Sequence, residues 1–214
     1  MNDLAFTVTE ARVEPHAMSP TLVLRLQVAS GLGSAVHAAI VRSDLHLDVA
    51  RRQYTAGEGE RLVEVFGARE RWADTMRPLF WTQLSFALPS FTGRMDFDLP
   101  VPCTYDFEVA SAKYFHALDD GIVPIRLMFS GSVFTVTNGV FQVRPIPWDI
   151  ETSFRLPVAT WRDVMQRHFF DTTWIRLRRE SFDALYRFRA EHALPSWESV
   201  IDALCAPTAP REAV

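Results

Sequence analysis

His116, Asp119 and Asp120 are the stretch of this chain where proton-moving side chains stand closest together. An imidazole titrates near neutrality and a carboxylate can orient it, so the set could act as a general acid or base. The competing reading is a helix end: a histidine near the negative pole of the dipole, then Asp-Asp-Gly as the stop. Catalysis would need a deep pocket that gathers these side chains. His46 and Asp48 are a second set. Two residues apart, they share one face of a strand and could begin a metal site. Zinc takes three or four converging ligands, and no third is visible, so the expectation is a polar strand face with no metal. His16, His37, His168 and His192 are scattered.

Other chemistries are declined on spacing. Cys103 and Cys205 are the only cysteines, too far apart for a CxxC pair and too few for a four-cysteine cluster. Cys103 is expected to be reduced and buried, and Cys205 to lie near an exposed tail. Ser130 and Ser132 sit in an alternating strand pattern, a poor place for a nucleophile. No GxSxG, P-loop or HExxH motif is present. The glycines of Ser30-Gly31-Leu32-Gly33-Ser34 do not form GxGxxG, because Val36 fills the third glycine position. No catalytic residue and no cofactor is assigned.

Recognition chemistry is better represented. The tryptophans are Trp72, Trp81, Trp148, Trp161, Trp174 and Trp197. Most belong to packing, but tryptophan beside arginine is also the usual composition of an interface hot spot. Two such places stand out: Trp72 with Arg77, and Trp174 with Arg176, Arg178 and Arg179.

The elements that must position these residues are mostly strands. Leu4, Phe6 and Val8 alternate with polar neighbours, as do Leu22, Leu24, Leu26 and Val28. Val36 to Val49, Phe80 to Leu88 and Met95 to Leu99 read the same way. Tyr105, Phe107 and Val109 alternate, then Ala110 to Leu118 turns to helical spacing. Val123 to Val133 is a long strand with Gly131 inside it, which predicts a bulge or a close backbone approach. Thr137-Asn138-Gly139-Val140 predicts a two-residue hairpin. Tyr54 to Pro78 is a long inserted connection, with Gly57 and Gly59 opening it and a short helix at Leu62, Val63 and Phe66. After Pro147-Trp148-Asp149 the period becomes helical. Thr160 with Asp163 suggests a helix start, a second helix runs from Arg179 to His192, and Ser196 caps a third.

The expected fold is α+β, mainly β: an antiparallel β-sandwich of about seven to nine strands with a C-terminal helical appendage of about three helices. The boundaries are 1–150 for the sandwich, 151–206 for the helical subdomain and 207–214 for a flexible tail. Trp161, Phe182, Leu185, Trp197 and Ile201 are expected to pack the helices on the sandwich. The 214 residues are 48% hydrophobic, enough for one large core. Net charge is −4 with no basic block, which argues against nucleic acid. Lys113 is the only lysine, a bias that high genomic GC content explains. No apolar run reaches the roughly 18 residues of a spanning helix, and Met1 to Glu10 is acidic and alternating, unlike a signal peptide. The expected compartment is the cytoplasm.

Val101-Pro102-Cys103-Thr104-Tyr105-Asp106-Phe107-Glu108-Val109, Lys113-Tyr114-Phe115-His116-Ala117-Leu118-Asp119-Asp120-Gly121 and Phe129-Ser130-Gly131-Ser132-Val133-Phe134 carry a resemblance. So do Pro147-Trp148-Asp149, Leu156-Pro157-Val158, Trp161-Arg162, Trp174-Ile175-Arg176-Leu177 and Ala193-Leu194-Pro195-Ser196-Trp197. The chain resembles, over nearly its whole length, a bacterial domain family of unknown function encoded beside hydrogen-scavenging [NiFe]-hydrogenases. The resemblance implies an accessory role with a protein partner, a hydrogenase subunit or maturation factor, and supplies no catalytic residues. The alternatives are a general peptide- or ligand-binding sandwich, chaperone-like in character, and an enzyme using His116 with Asp119 or Asp120.

Overall fold

Period-two alternation becomes eight antiparallel strands in two sheets among the described residues. The computed structural model of the chain describes residues 3–104, 106, 109–137, 139–170, 172 and 175–206. In chain order the strands are β1 (Leu4–Val13), β2 (Thr21–Ser30), β3 (Val36–Leu47), β4 (Leu79–Leu88), β5 (Arg94–Pro102), β6 (Ile122–Thr137), β7 (Val140–Ile146) and β8 (Glu151–Pro157). The helices are α1 (Ala56–Arg61), α2 (Val63–Phe66), α3 (Trp72–Thr75), α4 (Ala110–His116), α5 (Val158–His168), α6 (Arg179–Glu191) and α7 (Trp197–Cys205). The fold is α+β and mainly β, as the alternation predicts.

One sheet has the order β1-β2-β5 and the other β4-β3-β6-β7, with β8 also on β6. The registers put Phe6 opposite Val28 and Leu26 opposite Phe97, so the apolar members of each strand fall on one face. In the other sheet Val41 pairs with Gly131 and Leu45 with Leu127. The two inner faces meet in a single core, where Phe6 stacks on Phe129 at 4.1 Å between ring centroids.

β6 is long enough to carry two partners on the same edge. Its first half pairs with β8, from Ile122↔Pro157 to Met128↔Glu151. Its second half pairs with β7, from Gly131↔Ile146 to Thr137↔Val140. Gly131 stands where the partner changes. Its φ is +139°, and a Cβ there would lie 2.1 Å from the Ile40 carbonyl oxygen, so the close approach expected from sequence is real. The hairpin from Thr137 to Val140 also has its expected two-residue connection, with Gly139 at φ +75°. Asn138, and Tyr105 and Phe107 of the alternation before α4, lie outside the described residues, as does the segment 207–214.

Two readings need correction. Residues 151–157 are strand β8, although the helical period was expected to begin there. The alternation of Thr152, Phe154 and Leu156 is short and follows a Pro-rich turn, which hid it. Thr160 does not start a helix: α5 begins two residues earlier, and the Val158 amide donates to the Gly121 carbonyl at 2.9 Å, so no side-chain cap is needed.

The chain divides into two compact units, Met1–Thr173 and Trp174–Val214. In the first, α5 lies on the sandwich through Val158, Trp161, Val164 and Met165, all buried. In the second, Ser196 caps α7 by accepting from the Ser199 amide at 3.1 Å. Arg189 of α6 sits over the Trp197 ring at 5.0 Å and donates to the Leu194 and Pro195 carbonyls. No described helix is long and apolar enough to cross a membrane.

Candidate functional site

Three arginines hold the turn that follows α4, and two of them, Arg52 and Arg61, tie it to the Tyr54–Pro78 connection. Arg52 donates to Glu58 at 2.5 Å, to the Asp120 carbonyl at 2.6 Å and to the Ile122 carbonyl at 3.3 Å. Arg61 donates to the Ala117 carbonyl at 3.0 Å and to the Asp119 carboxylate at 2.5 Å. Arg162, from α5, donates through Nη2 to the carbonyls of Leu118 at 3.1 Å and Asp119 at 2.5 Å. The main-chain carbonyls of Ala117, Leu118, Asp119, Asp120 and Ile122, at and beyond the end of α4, are thus taken by guanidinium groups.

Glu58 completes the clamp. It accepts from the Asp119 amide at 3.0 Å and from the Thr55 amide at 3.0 Å, while Thr55 Oγ1 accepts from the Glu58 amide at 3.1 Å. The latter two bonds form a capping box at the start of α1. Burial alone would raise the Glu58 pKa, but the amides of Thr55 and Asp119 and the Arg52 charge outweigh it, and the net direction is down. Beneath the clamp, Tyr54 donates to the Val49 carbonyl at 2.7 Å. Its single proton is then spent, so Tyr114 must be the donor in their 2.9 Å contact. Burial pushes the Tyr114 hydroxyl pKa strongly upward.

This arrangement decides what Asp119 and Asp120 do. Asp119 offers its carboxylate to Arg61 and its carbonyl to Arg162, and Asp120 offers its carbonyl to Arg52. His116 faces elsewhere, edge-on to Trp161 at 4.9 Å, and burial lowers its pKa to about 4. It lines a cavity of about 190 Å³ with Phe115, Leu118, Trp161, Arg162, Met165, Gln166 and Phe169. Neither aspartate lines that cavity, so the geometry does not gather the expected acid–base set.

The other sequence-selected residues fall as follows. Asp48 is buried and receives Arg126 at 2.9 Å, while His46 lies edge-on to Phe80 at 5.6 Å. Among the described residues no three of His, Cys, Asp and Glu converge on one point. Cys103 is buried and its pKa is pushed up to about 12 by that burial; Cys205 is exposed. Trp72 is a pin inside the connection: its indole donates to the Gly67 carbonyl at 2.9 Å, and its ring meets Tyr54 and Phe66 edge-on. Arg77 is exposed. Arg176, Arg178 and Arg179 are exposed, and Arg179 makes a long 3.6 Å contact to Asp183. Trp174 lies outside the described residues.

Sequence reasoning missed an exposed apolar cluster on the outer face of the second sheet. Phe134 pairs with Val143 and Val136 with Phe141, so all four point to the same side of the sheet. Their neighbours in sequence on β6, Val133 and Thr135, are buried on the other side. Ile40 of β3 joins this outer face, opposite Ser132. Val136, Phe141, Val143 and Ile40 are 44%, 56%, 58% and 58% exposed. Phe134 and Phe141 stack at 5.7 Å, and His37 meets Phe141 edge-on at 6.0 Å. The signal was present as Val-Phe-Thr-Val and Val-Phe-Gln-Val, two runs with apolar residues in both phases of the pleat.

Residues 1–213 match the model of a family described as "Family of unknown function (DUF6084)". No curated protein matches the chain in sequence. Among solved structures, Se-Met-labelled beta-glucosidase from Kluyveromyces marxianus aligns with TM-score 0.27 at 7% identity, over 72% of this chain and 15% of that one. The same enzyme in complex with glucose gives TM-score 0.26 at 9% identity, with the same coverage. The chain thus spans about 15% of the length of those glucosidases, and neither likeness bears on what it does.

Proposed function

The chain belongs to that family of unknown function, DUF6084, and we propose that it is a non-enzymatic interaction protein whose partner docks on the outer face of β3, β6 and β7. The observation that carries this reading is the exposed apolar cluster of Ile40, Phe134, Val136, Phe141 and Val143. A contiguous apolar surface on a folded domain is the ordinary mark of a protein contact. The phenylalanines supply large anchors at low entropic cost.

The partner in this proposal is a subunit or maturation factor of a [NiFe]-hydrogenase. Its support is the gene neighbourhood of the family that the chain resembles. The role is to cover apolar surface on that partner, with no metal held by this chain. Arg77 in the first unit, and separately Arg176, Arg178 and Arg179 in the second, are exposed; exposed charges of this kind affect association rate more than affinity.

A second reading has its own observation. β7 ends the strand order of its sheet, so its outer backbone edge has no partner strand among the described residues. Such an edge can accept an extended peptide as an added strand. That would make the protein a general peptide binder.

Capture of the tagged protein from its native host, grown under hydrogenase-expressing conditions, separates these readings. Stoichiometric hydrogenase subunits or maturation factors with the wild type, lost in the Phe141→Asp variant, are the expected outcome. Many substoichiometric clients would favour the peptide binder. Unchanged capture by a folded Phe141→Asp variant would remove this face.

A further inference from the structure

The cavity between α4 and α5 has the composition of a binding site that the docking face does not use. Its inner wall is Phe115, Leu118, Trp161 and Met165, each 4% exposed or less. Phe115 and Trp161 stack nearly parallel, 4.9 Å apart with 9° between their planes, so that wall is stiff. The volume of about 190 Å³ compares with the ~150 Å³ of an apolar cavity that binds benzene. It is too small for a nucleotide or a drug-sized ligand, which takes roughly 300 Å³ or more.

One polar group gives the cavity a sign. Arg162 lies in its lining, and among the described residues its two hydrogen bonds to protein both come from Nη2, to the Leu118 and Asp119 carbonyls. Those two bonds fix the plane of the guanidinium. Among the described residues no carboxylate lies within ion-pair distance of it, because the nearby Asp119 carboxylate is taken by Arg61. Among the described residues its Nη1 and Nε therefore keep N–H donors not spent on protein, on a side chain that lines the cavity. His116 adds no second charge, since its pKa near 4 leaves the ring neutral at pH 7. A held guanidinium with spare donors recognises a carboxylate in preference to a neutral group.

We infer that this cavity binds a small monocarboxylate with an apolar body, an aromatic ring or a branched chain, with its ring or chain against Trp161 and Met165 and its carboxylate on Arg162. The same chemistry could be offered by a free acid or by the C-terminal residue of a peptide. The site is independent of the partner face, and either could fail without the other.

The test is titration of the full chain, followed by ¹H–¹⁵N NMR. The probes are phenylacetate, its neutral counterpart phenylacetamide, and a tetrapeptide ending in phenylalanine with a free or an amidated C-terminus. Shifts centred on the Trp161 indole are expected with phenylacetate, with phenylacetamide about tenfold weaker or more, and loss of that preference in Arg162→Gln. Tighter binding of the free-ended peptide than of phenylacetate would identify a chain terminus as the source; the reverse would identify a free acid. The inference is overturned if no acid probe shifts the Trp161 signal. It is overturned equally if acid and amide bind alike, or if a folded Arg162→Gln variant keeps the preference. Because Arg162 also holds the end of α4, the acid-against-amide comparison on the wild type decides the matter even if the variant does not fold.

Discussion

At the scale of single residues, Glu58 is the most consequential side chain of the clamp. Its side chain and that of Arg52 are 2% and 8% exposed. A buried pair adds little over an apolar pair, but removing one partner strands the other charge. Glu58→Gln keeps an oxygen to accept from Thr55 and removes the charge that faces Arg52. It should cost about 3–5 kcal/mol, read as a lower denaturation midpoint with an unchanged slope in urea. His116 gives a second prediction. Its folded pKa lies near 4, below the ordinary 6.5. The folded state therefore disfavours the proton, and the stability this confers is complete above pH 6.5 and drains away as pH falls toward 4. In a series of melts across that window the wild type should lose Tm, and His116→Gln should lose less of it. A parallel decline in both would show that other groups carry the acid sensitivity. The sequence offered His116, Asp119 and Asp120 as a candidate acid–base set. It misjudged the atoms, because main-chain carbonyls, which no side-chain pattern records, are what Arg52 and Arg162 hold.

At the scale of elements, alternation was a sufficient guide wherever a strand had one buried face. β1, β2, β3 and β6 could be read from it directly. It failed for β8, whose alternation of Thr152, Phe154 and Leu156 fits in seven residues and has one fully buried side chain, Leu156, too short a run to stand out after the Pro-rich turn. It also failed for α1. Gly57 and Gly59, which open the connection, disfavour a helix intrinsically, yet Thr55 and Glu58 stand three apart in the order of a capping box. Gly59 is tolerated because it makes room: a Cβ would lie 3.6 Å from the Trp72 ring and 3.2 Å from Arg69 Nη1. Gly131 is the element-scale test. Its backbone conformation and the 2.1 Å contact that a Cβ would make with the Ile40 carbonyl both forbid a side chain, and the obstacle is backbone on β3. Gly131→Ala should cost more than about 3 kcal/mol, at the far end of what single substitutions do. Chemical denaturation measures it, and a near-neutral result would mean that β3 and β6 can separate at that point without loss.

At the scale of the molecule, the sequence boundary at residue 150 and the compact unit that ends at Thr173 differ in where they place β8 and α5. The core says which matters for folding. All residues of the core cluster, including those packed against it, come before residue 170. Trp161, Val164 and Met165 of α5 are among them, and β8 contributes Leu156 and Phe154. A chain ending at Thr160 would keep β8 but lose the apolar side of α5, uncovering Phe115 where Trp161 stacks on it. Burying an aromatic ring and two aliphatic side chains is worth roughly 1.5–3 kcal/mol for each, as much as the whole stability of many domains. That truncation should aggregate. A chain of residues 1–173 keeps the entire cluster and should unfold in one cooperative transition. Residues 174–214 taken alone present a single buried apolar side chain among those described, Val200, and helices this short are marginal in water without a core. The isolated segment should show weak helicity and no sharp melt. Circular dichroism of the three fragments, with light scattering of the shortest, checks the set. A soluble and cooperative 1–160 fragment would mean that α5 is an accessory to the sandwich; a disordered 1–173 fragment would mean that the sandwich draws stability from beyond its own core cluster.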